Sequence, residues 1–516
     1  MDEKKFEFII HATDKKFLSR LIQSLETVVV PAGFRAEVQP VTGEEKYFAY
    51  DAAMKNSDAK FKIYLDERAI VTDENFLFEL LKIFQDKKIC AVGTGGAIEL
   101  STHGVSLTSA KRAPKNFYGE AQIADGFFFA TQYDLPWRHD LFKDNFFGGQ
   151  AQCVEFIRAG GKIFIGGDWI RFDEKNLALD VDAHKKFLDE YSKDLFPLVS
   201  VVIPTFNRPK FFKEALESAL NQTYRNVEIF ISDNSTDDAT EKFIETCSDA
   251  RIKYFRHKNF TAHDNWNFAR DYDNPAAEFV NWLMDDDIFY PPKIERMVEI
   301  YRNNPDVSLI TSKRNIMDAD GKILGHHKVP FKASAKISGE EAGRILFSNF
   351  ENFIGEPTTV LIRKRFLRDG DLCWHADERG FFNLVDTSTW LQLLSKGNLF
   401  FIDEPLSCYR LHANIATDWL YTAPPVAIQW AKMIKSAWEK KIFLKTEKDV
   451  RQSILKWFNF IDFRGLQHPL DDNYRGKEVE TLEKYFVTMA RALSNGYKIE
   501  LPPVEYSAQD AIKKIY

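Results

Sequence analysis

Residues 278–287, EFVNWLMDDD, read as a buried strand that runs straight into three consecutive carboxylates, Asp285, Asp286 and Asp287. Pro291-Pro292 follows, and Ile294, Met297, Val298 and Tyr301 then recur at the spacing of one helix face. In an open α/β sheet, ligands collect at the carboxyl ends of strands, so dense negative charge stands where a substrate would sit. Adjacent aspartates repel one another unless a cation or a run of donors stabilises them. Hard oxygen ligands in that number suit Mg²⁺ or Mn²⁺, and such ions usually bring a phosphate with them. The plainer alternative is a solvated acidic turn.

Outward from this stretch, strands and helices alternate in both directions. Before it come the buried strand LVSVVIP (198–204), a helix over 209–221, strand VEIFISDNS, a helix over 236–247, strand IKYFRH and a helix over 263–271. Nearer the N-terminus lie strand 5–12, an amphipathic helix through Phe17, Leu21 and Leu25, strand FRAEVQPV, a helix over 47–55, strand AKFKIYLDE, a helix over 74–86 and strand ICAVGTGG. A charged helical segment over 173–193 joins the two runs. Alternation of this kind predicts mostly parallel sheets covered by helices.

The two runs align without a gap, AKFKIYLDERAI (59–70) against AEFVNWLMDDDI (277–288). Ala59 meets Ala277, Phe61 meets Phe279, Leu65 meets Leu283 and Ile70 meets Ile288, which suggests a unit used twice. Arg68 and Ala69 stand opposite Asp286 and Asp287. An arginine repels a cation and cannot ligate one, so the first copy reads as disarmed.

At 516 residues the chain is too long for one core. We expect an N-terminal domain over 1–195, a catalytic domain over 196–423 and an α-helical region over 424–516. In the last, Ile454, Trp457, Phe458 and Ile461 form one stripe, and Val479, Leu482, Phe486, Met489 and Leu493 another. Segment 430–445 mixes Trp, Ile and Phe with five lysines (432, 435, 440, 441 and 445). Such a helix either packs on its own domain or rests peripherally on an anionic membrane. A net charge of −7 argues against a nucleic-acid partner. Five scattered cysteines with no CxxC pair predict reduced thiols. The N-terminus lacks a signal-peptide pattern, and no apolar run reaches bilayer length. The expected address is cytoplasmic, including the inner face of the membrane.

Two loops add chemistry. PTFNRP (204–209) puts exposed backbone groups between a strand end and a helix start, where a ring or phosphate can be held. SDNSTDD (232–238) ends the next strand with Asp233, either facing a ligand or beside a helix cap. With these loops in place, VSVVIPTFNRP, VEIFISDNSTDD and FVNWLMDDDIFYPPKIERM resemble, in order, the signatures of the family 2 glycosyltransferases. LVDTSTWLQLL (384–394) and PLSCYRLH (405–412) continue the likeness, which covers roughly 198–415. The N-terminal run resembles, more weakly, the glycosyltransferase-like domain of the streptomycin-biosynthesis type, through Ala124-Asp125-Gly126 and ATQYDLPW (130–137). That family usually carries an acidic residue where Arg68 lies and another near Gly149.

The resemblance implies two GT-A-like, Rossmann-like α/β domains and an inverting, metal-dependent transfer of a sugar from a nucleotide-diphosphate donor, a UDP-sugar above all. The acceptor would be a hydroxyl of a glycan, a lipid-linked glycan or a protein. Pro204, Thr205, Phe206, Asn207 and Asp233 would hold the base and ribose, with Asn267, Asp285 and Asp286 completing the donor site. Asp286 and Asp287 would bring Mn²⁺ or Mg²⁺ to the diphosphate, with His412 close to the metal. Asp386 would be the general base, although Asp at a helix start also reads as a cap. Met284 replaces a further Asp of the family pattern, and Val385 replaces a Glu. Asp66, Glu67 and Asp173 keep a second active site in 1–195 open. A non-catalytic nucleotide-sugar- or glycan-binding protein is the remaining alternative.

Overall fold

The computed structural model describes residues 1–43, 45–100, 111–144, 147–172, 180–367, 384–412, 419–461 and 477–504. Asp173 and Cys373 lie outside these. The chain divides at Pro197/Leu198 into two compact units, Met1–Pro197 and Leu198–Tyr516.

In the first unit a seven-stranded sheet has the order Arg35–Val41, Asp2–His11, Ala59–Asp66, Phe128–Thr131, Ile89–Gly93, Lys162–Gly166 and Tyr118–Ala121. Phe128–Thr131 and Tyr118–Ala121 run against the others. In the second unit the order is Ile252–Arg256, Val227–Asp233, Leu198–Thr205, Ala277–Trp282, Leu361–Arg363, Val307–Met317, Asn398–Arg410 and Ile288–Phe289. Leu361–Arg363 and Ile288–Phe289 are the reversed strands here. Six neighbouring strands, from Arg35–Val41 to Lys162–Gly166 and from Val227–Asp233 to Asn398–Arg410, match in spatial order, chain order and direction, so the repeat inferred from a twelve-residue alignment extends over them. The reversed edge strands come from different places in the chain, and Ile252–Arg256, Ile323–His326 and Ala335–Ile337 belong to the second sheet alone.

Local chemistry accounts for the central strand. LVSVVIPT is rich in β-branched residues and buried on both faces, as a parallel strand between two neighbours must be. Pro204 stands near its end, opposite Ser232, and Pro209 opens the next helix, Pro209–Leu220, at its first turn, where a missing N–H costs nothing. Between them Asn207 turns the chain with φ +51°, a left-handed position that Asn tolerates better than most residues.

The helical region belongs to the core of the second unit. Trp430, Met433, Ile434, Ala437, Trp457 and Met489 join Val202, Trp282 and Trp390 in one buried cluster. The apolar stripe of segment 430–445 is thus spent inside the unit, while Lys435 pairs with Glu439 and Lys445 with Glu340. The helix carrying it, Trp419–Glu439, starts ahead of the expected boundary and contains Pro424 and Pro425. The linker helix is shorter than its charge pattern suggests, Val181–Leu195, capped by Asp180. Among the described residues, no helix is long and apolar enough to cross a membrane.

One close approach fixes the helix that carries Asp386, Val385–Leu394. Gly339 starts the neighbouring helix Gly339–Asn349, and a Cβ there would lie 2.1 Å from the Leu394 carbonyl oxygen and 2.2 Å from that of Gly397. Gly339→Ala is expected to destabilise the second unit by about 1–3 kcal/mol, the usual cost of overpacking, read as a lower urea midpoint.

Candidate active site

The three aspartates that follow strand Ala277–Trp282 point to three different partners. Asp285 is buried and faces the loop after strand Leu198–Thr205. Its Oδ2 accepts from Thr205 Oγ1 at 2.9 Å and from the Phe206 N–H at 3.2 Å, and its Oδ1 accepts from Arg208 Nη1 at 3.0 Å. Asp287, also buried, faces the other way. Its Oδ1 accepts from the Arg410 N–H at 3.0 Å and its Oδ2 from Thr358 Oγ1 at 2.7 Å. Asp286, between them, meets Arg208 Nη1 at 3.1 Å and His412 Nε2 at 3.0 Å, both at Oδ2.

Burial and the neighbouring Asp286 charge push the Asp285 carboxyl up to about 6, against the pull of Arg208. The same two causes raise Asp287 well above the ordinary carboxylate range. Two of the three acidic residues are therefore clamps. One holds the first loop and the other holds the end of strand Asn398–Arg410 and the turn Pro357–Thr359. Each oxygen of Asp287, expected to share a metal with Asp286, accepts a hydrogen bond from the protein. Asp286 and His412 are brought together.

A carboxylate and an imidazole that converge in this way fit part of a divalent-metal shell. Mg²⁺ and Mn²⁺ in phosphate sites commonly take the rest from the phosphates and water. Among the described residues, no three His, Cys, Asp or Glu side chains form a complete cage.

The expected donor residues line one side. Phe206 is an exposed aromatic beside the clamp. Asn207 braces the next loop, donating its N–H to Ser235 Oγ at 2.9 Å and accepting at Oδ1 from the Thr236 N–H at 2.8 Å. Asp233 is fully buried and accepts from the Ser235 N–H and from Tyr254 OH, both at 2.7 Å. The Asn267 carboxamide oxygen accepts from Arg270 Nη1 at 2.7 Å, on its own helix, Ala262–Asp271. It is Asn265 that reaches the strand ends. Its Nδ2 donates to the carbonyls of Thr205 at 3.2 Å and Ser232 at 3.1 Å. Asn265 precedes the buried Ala269 by four positions, which places both on the inward face; that spacing was the available signal.

Asp386 stands in the first turn of helix Val385–Leu394, half-buried. It accepts from the Thr387 N–H at 2.6 Å and from Asn352 Nδ2 at 2.7 Å. Burial pushes its carboxyl up to about 6, with the charge of Glu356 adding to the rise. Asn352 and Thr358, which hold Asp386 and Asp287 respectively, belong to one short loop. Even fully extended, residues 352–358 span no more than about 21 Å. Arg208, Arg410, Thr358 and Asn352 are positioning residues to which the sequence gave no role. The first two sit inside quoted motifs, but only the fold reveals their partners.

In the first unit the same frame carries different groups. Glu67, aligned with Asp285, accepts from the Thr13 N–H at 2.7 Å, Thr13 Oγ1 at 2.5 Å and the Asp14 N–H at 2.8 Å, so it clamps the loop after the first strand in the same manner. Arg68, aligned with Asp286, bonds Asp66 through Nε at 2.8 Å and Nη2 at 3.0 Å, and Lys46 adds a contact at 3.4 Å. Burial alone would raise Asp66, but the Arg68 fork and the Lys46 charge hold it at about 2. The helix that corresponds to the Asp386 helix, Phe147–Arg158, opens with Gly148 and Gly149. A Cβ at Gly148 would lie 2.1 Å from the Tyr47 ring.

Comparison with known proteins agrees with this arrangement. The model described as Glycosyl transferase family 2 matches residues 200–370, and that described as Glycosyltransferase like family matches 7–191. A GalNAc(5)-diNAcBac-PP-undecaprenol beta-1,3-glucosyltransferase of Campylobacter jejuni is 38% identical over 225 residues, covering 42% of this chain and 65% of its own. An uncharacterised glycosyltransferase of Methanocaldococcus jannaschii is 31% identical over 225 residues, covering 42% of this chain and 71% of its own. Against its Rickettsia relatives the chain spans from 19% to 66% of their length. The crystal structure of S. aureus TarS overlays with a TM-score of 0.41 at 14% identity, over 57% of this chain and 49% of the other. By its ordered motifs, its repeated sheet and these relatives, the chain belongs to the family 2 glycosyltransferases.

Proposed function

We propose that the second unit is an inverting, metal-dependent glycosyltransferase that moves a hexose from a nucleotide-diphosphate donor, a UDP-sugar, to a hydroxyl of a glycan acceptor. The name of the Campylobacter relative makes a glycan on a polyprenyl diphosphate carrier the acceptor class to try first. The observation that carries this reading is the loop 352–358, which ties Asp386 at one end and the acidic strand at the other. The acid and base ends of one displacement are thereby held on a single short piece of chain.

Asp286 and His412 would hold Mn²⁺ or Mg²⁺. A nitrogen ligand favours Mn²⁺ over the strictly oxygen-seeking Mg²⁺. When bound, the ion supplies Lewis-acid stabilisation of the departing diphosphate. Arg208, already between Asp285 and Asp286, offers a second positive charge to the same anion. Phe206 presents a ring face for the base, and the turn at Asn207 sets its position. On the opposite side Asp386 accepts the proton of the attacking hydroxyl as its oxygen bonds to the anomeric carbon and the bond to the diphosphate breaks. Attack from the face opposite the leaving group inverts that centre.

The first unit we read as non-catalytic. Arg68 replaces the metal-facing carboxylate, and the helix start that elsewhere bears the base carries glycines packed against Tyr47. Thermal melts with a panel of nucleotide sugars and Mn²⁺ test donor binding, since a ligand of the native state must raise the melting temperature. Asp66→Asn is expected to leave transfer within about twofold of wild type, whereas Asp286→Asn lowers it by about 10²–10³-fold. Loss of a separate activity in the Asp66 variant would instead establish two working sites.

A further inference from the structure

Glu356 lies on the loop between the residues that hold the two reacting ends. Thr358, two positions on, bonds Asp287. The Gly355 carbonyl, one position back, accepts from Trp390 Nε1 of the Asp386 helix at 3.0 Å, and Asn352 bonds Asp386 itself. The Glu356 carboxylate is held from behind by Arg314, whose Nε stands 2.6 Å from Oε2 and whose Nη2 donates to Oε1 at 3.3 Å. Arg314 is buried in strand Val307–Met317, its side chain 2% exposed, whereas that of Glu356 is 28% exposed. A buried guanidinium holds the carboxylate in place, Thr359 Oγ1 adds a contact to Oε2 at 3.4 Å, and the part-exposed side chain stays within reach of a ligand.

We propose that Glu356 is a positioning residue for the transfer: clamped by Arg314, it holds a hydroxyl-bearing acceptor ring against Asp386 and supplies a fixed negative charge beside that base. A part-exposed carboxylate accepts hydrogen bonds from sugar hydroxyls and donates none, so it selects a polyol over an anionic acceptor. Its charge also raises the proton affinity of Asp386, on top of burial. A base whose pKa lies near the working pH is the more effective one. Asn352 and Thr387, which touch Asp386, are neutral. Among the described residues, the other titratable and charged groups around the cluster are Arg314, Asp287, whose carboxyl Glu356 also helps to raise, and, beyond Arg314, His327 and Glu351. His327 is held below its ordinary range by burial and by Arg314, with Glu356 and Glu351 pulling the other way.

The inference rests on the assignment of Asp386 as base, and the test separates the two. The full chain is assayed with UDP-glucose and Mn²⁺, first for hydrolysis, with water as acceptor, and then for transfer to a panel of p-nitrophenyl hexosides. Glu356→Gln is expected to move the acidic limb of kcat/KM for hydrolysis to lower pH. It is also expected to raise the acceptor KM about ten- to hundredfold, the worth of a hydrogen bond to a charged group, with the donor KM unchanged. Glu356→Asp, which keeps the charge on a shorter arm, returns the limb but not the acceptor KM. A Glu356→Gln enzyme with the wild-type limb and acceptor KM overturns the proposal. Should that variant not fold, a wild-type acceptor KM in Glu356→Asp overturns it. An Asp386→Asn enzyme with wild-type turnover sinks the base assignment instead, whatever Glu356 does.

Discussion

Asp386→Asn is expected to lower kcat for transfer by about 10²–10⁴-fold, the usual contribution of a general base, while the donor binds as before. The amide matches the carboxylate in size and can still accept from the Thr387 N–H, although it loses the bond from Asn352 Nδ2, so the helix start should survive. What disappears is the lone pair that takes the acceptor's proton. In the wild type, Asp386 must be ionised to act, and its carboxyl is pushed up to about 6 by burial and by Glu356. The rate should therefore be full above pH 7 and fall tenfold for each pH step well below 6. Glycosyl transfer measured from pH 5 to 8 checks this. An Asp386→Asn enzyme with wild-type turnover would show that the residue is a helix cap and nothing more.

Asp286→Asn is expected to cost about 10²–10³-fold in turnover, the scale seen when one stabilising group is removed from a developing charge. The Mn²⁺ dependence of donor binding should be lost with it, measured as the disappearance of the Mn²⁺-induced rise in melting temperature. Asp287→Asn should behave differently, although the two residues are adjacent. Asp287 accepts from the Arg410 N–H and from Thr358 Oγ1, and the amide can satisfy only part of that pair. Its expected signature is a loss of stability of about 1–3 kcal/mol, with metal dependence retained. A variant of Asp287 that loses metal dependence while keeping its stability would restore the paired-aspartate reading of the sequence.

Much of this was legible before any coordinates. The repeat was visible in 59–70 against 277–288, and so was the Arg68 that stands opposite Asp286, because both follow from side-chain type at aligned positions. The positions of Asp286, His412 and Asp386 were legible as members of ordered motifs. The division of labour within the acidic run was not. Adjacent residues at a strand end point to different sides, and which side holds a Thr hydroxyl and which an imidazole depends on loops that are far away in sequence. Thr358 and Arg410, for example, reach Asp287 from distant segments. Asn267 comes from the family resemblance, which points to a polar residue on this helix; burial and the bonds to the strand ends single out Asn265. Glu356 was not legible, since nothing local announces that Arg314, on a strand, will anchor it.

The 352–358 loop has one more consequence. Five residues separate its two anchors, among them Gly355 at φ +109° and Pro357, which opens a 3-10 turn. The Trp390 indole pins the middle through the Gly355 carbonyl. So short and braced a connection leaves little slack between the hydroxyl that holds Asp287 and the amide that holds Asp386, so the spacing of the two is set by one stretch of chain.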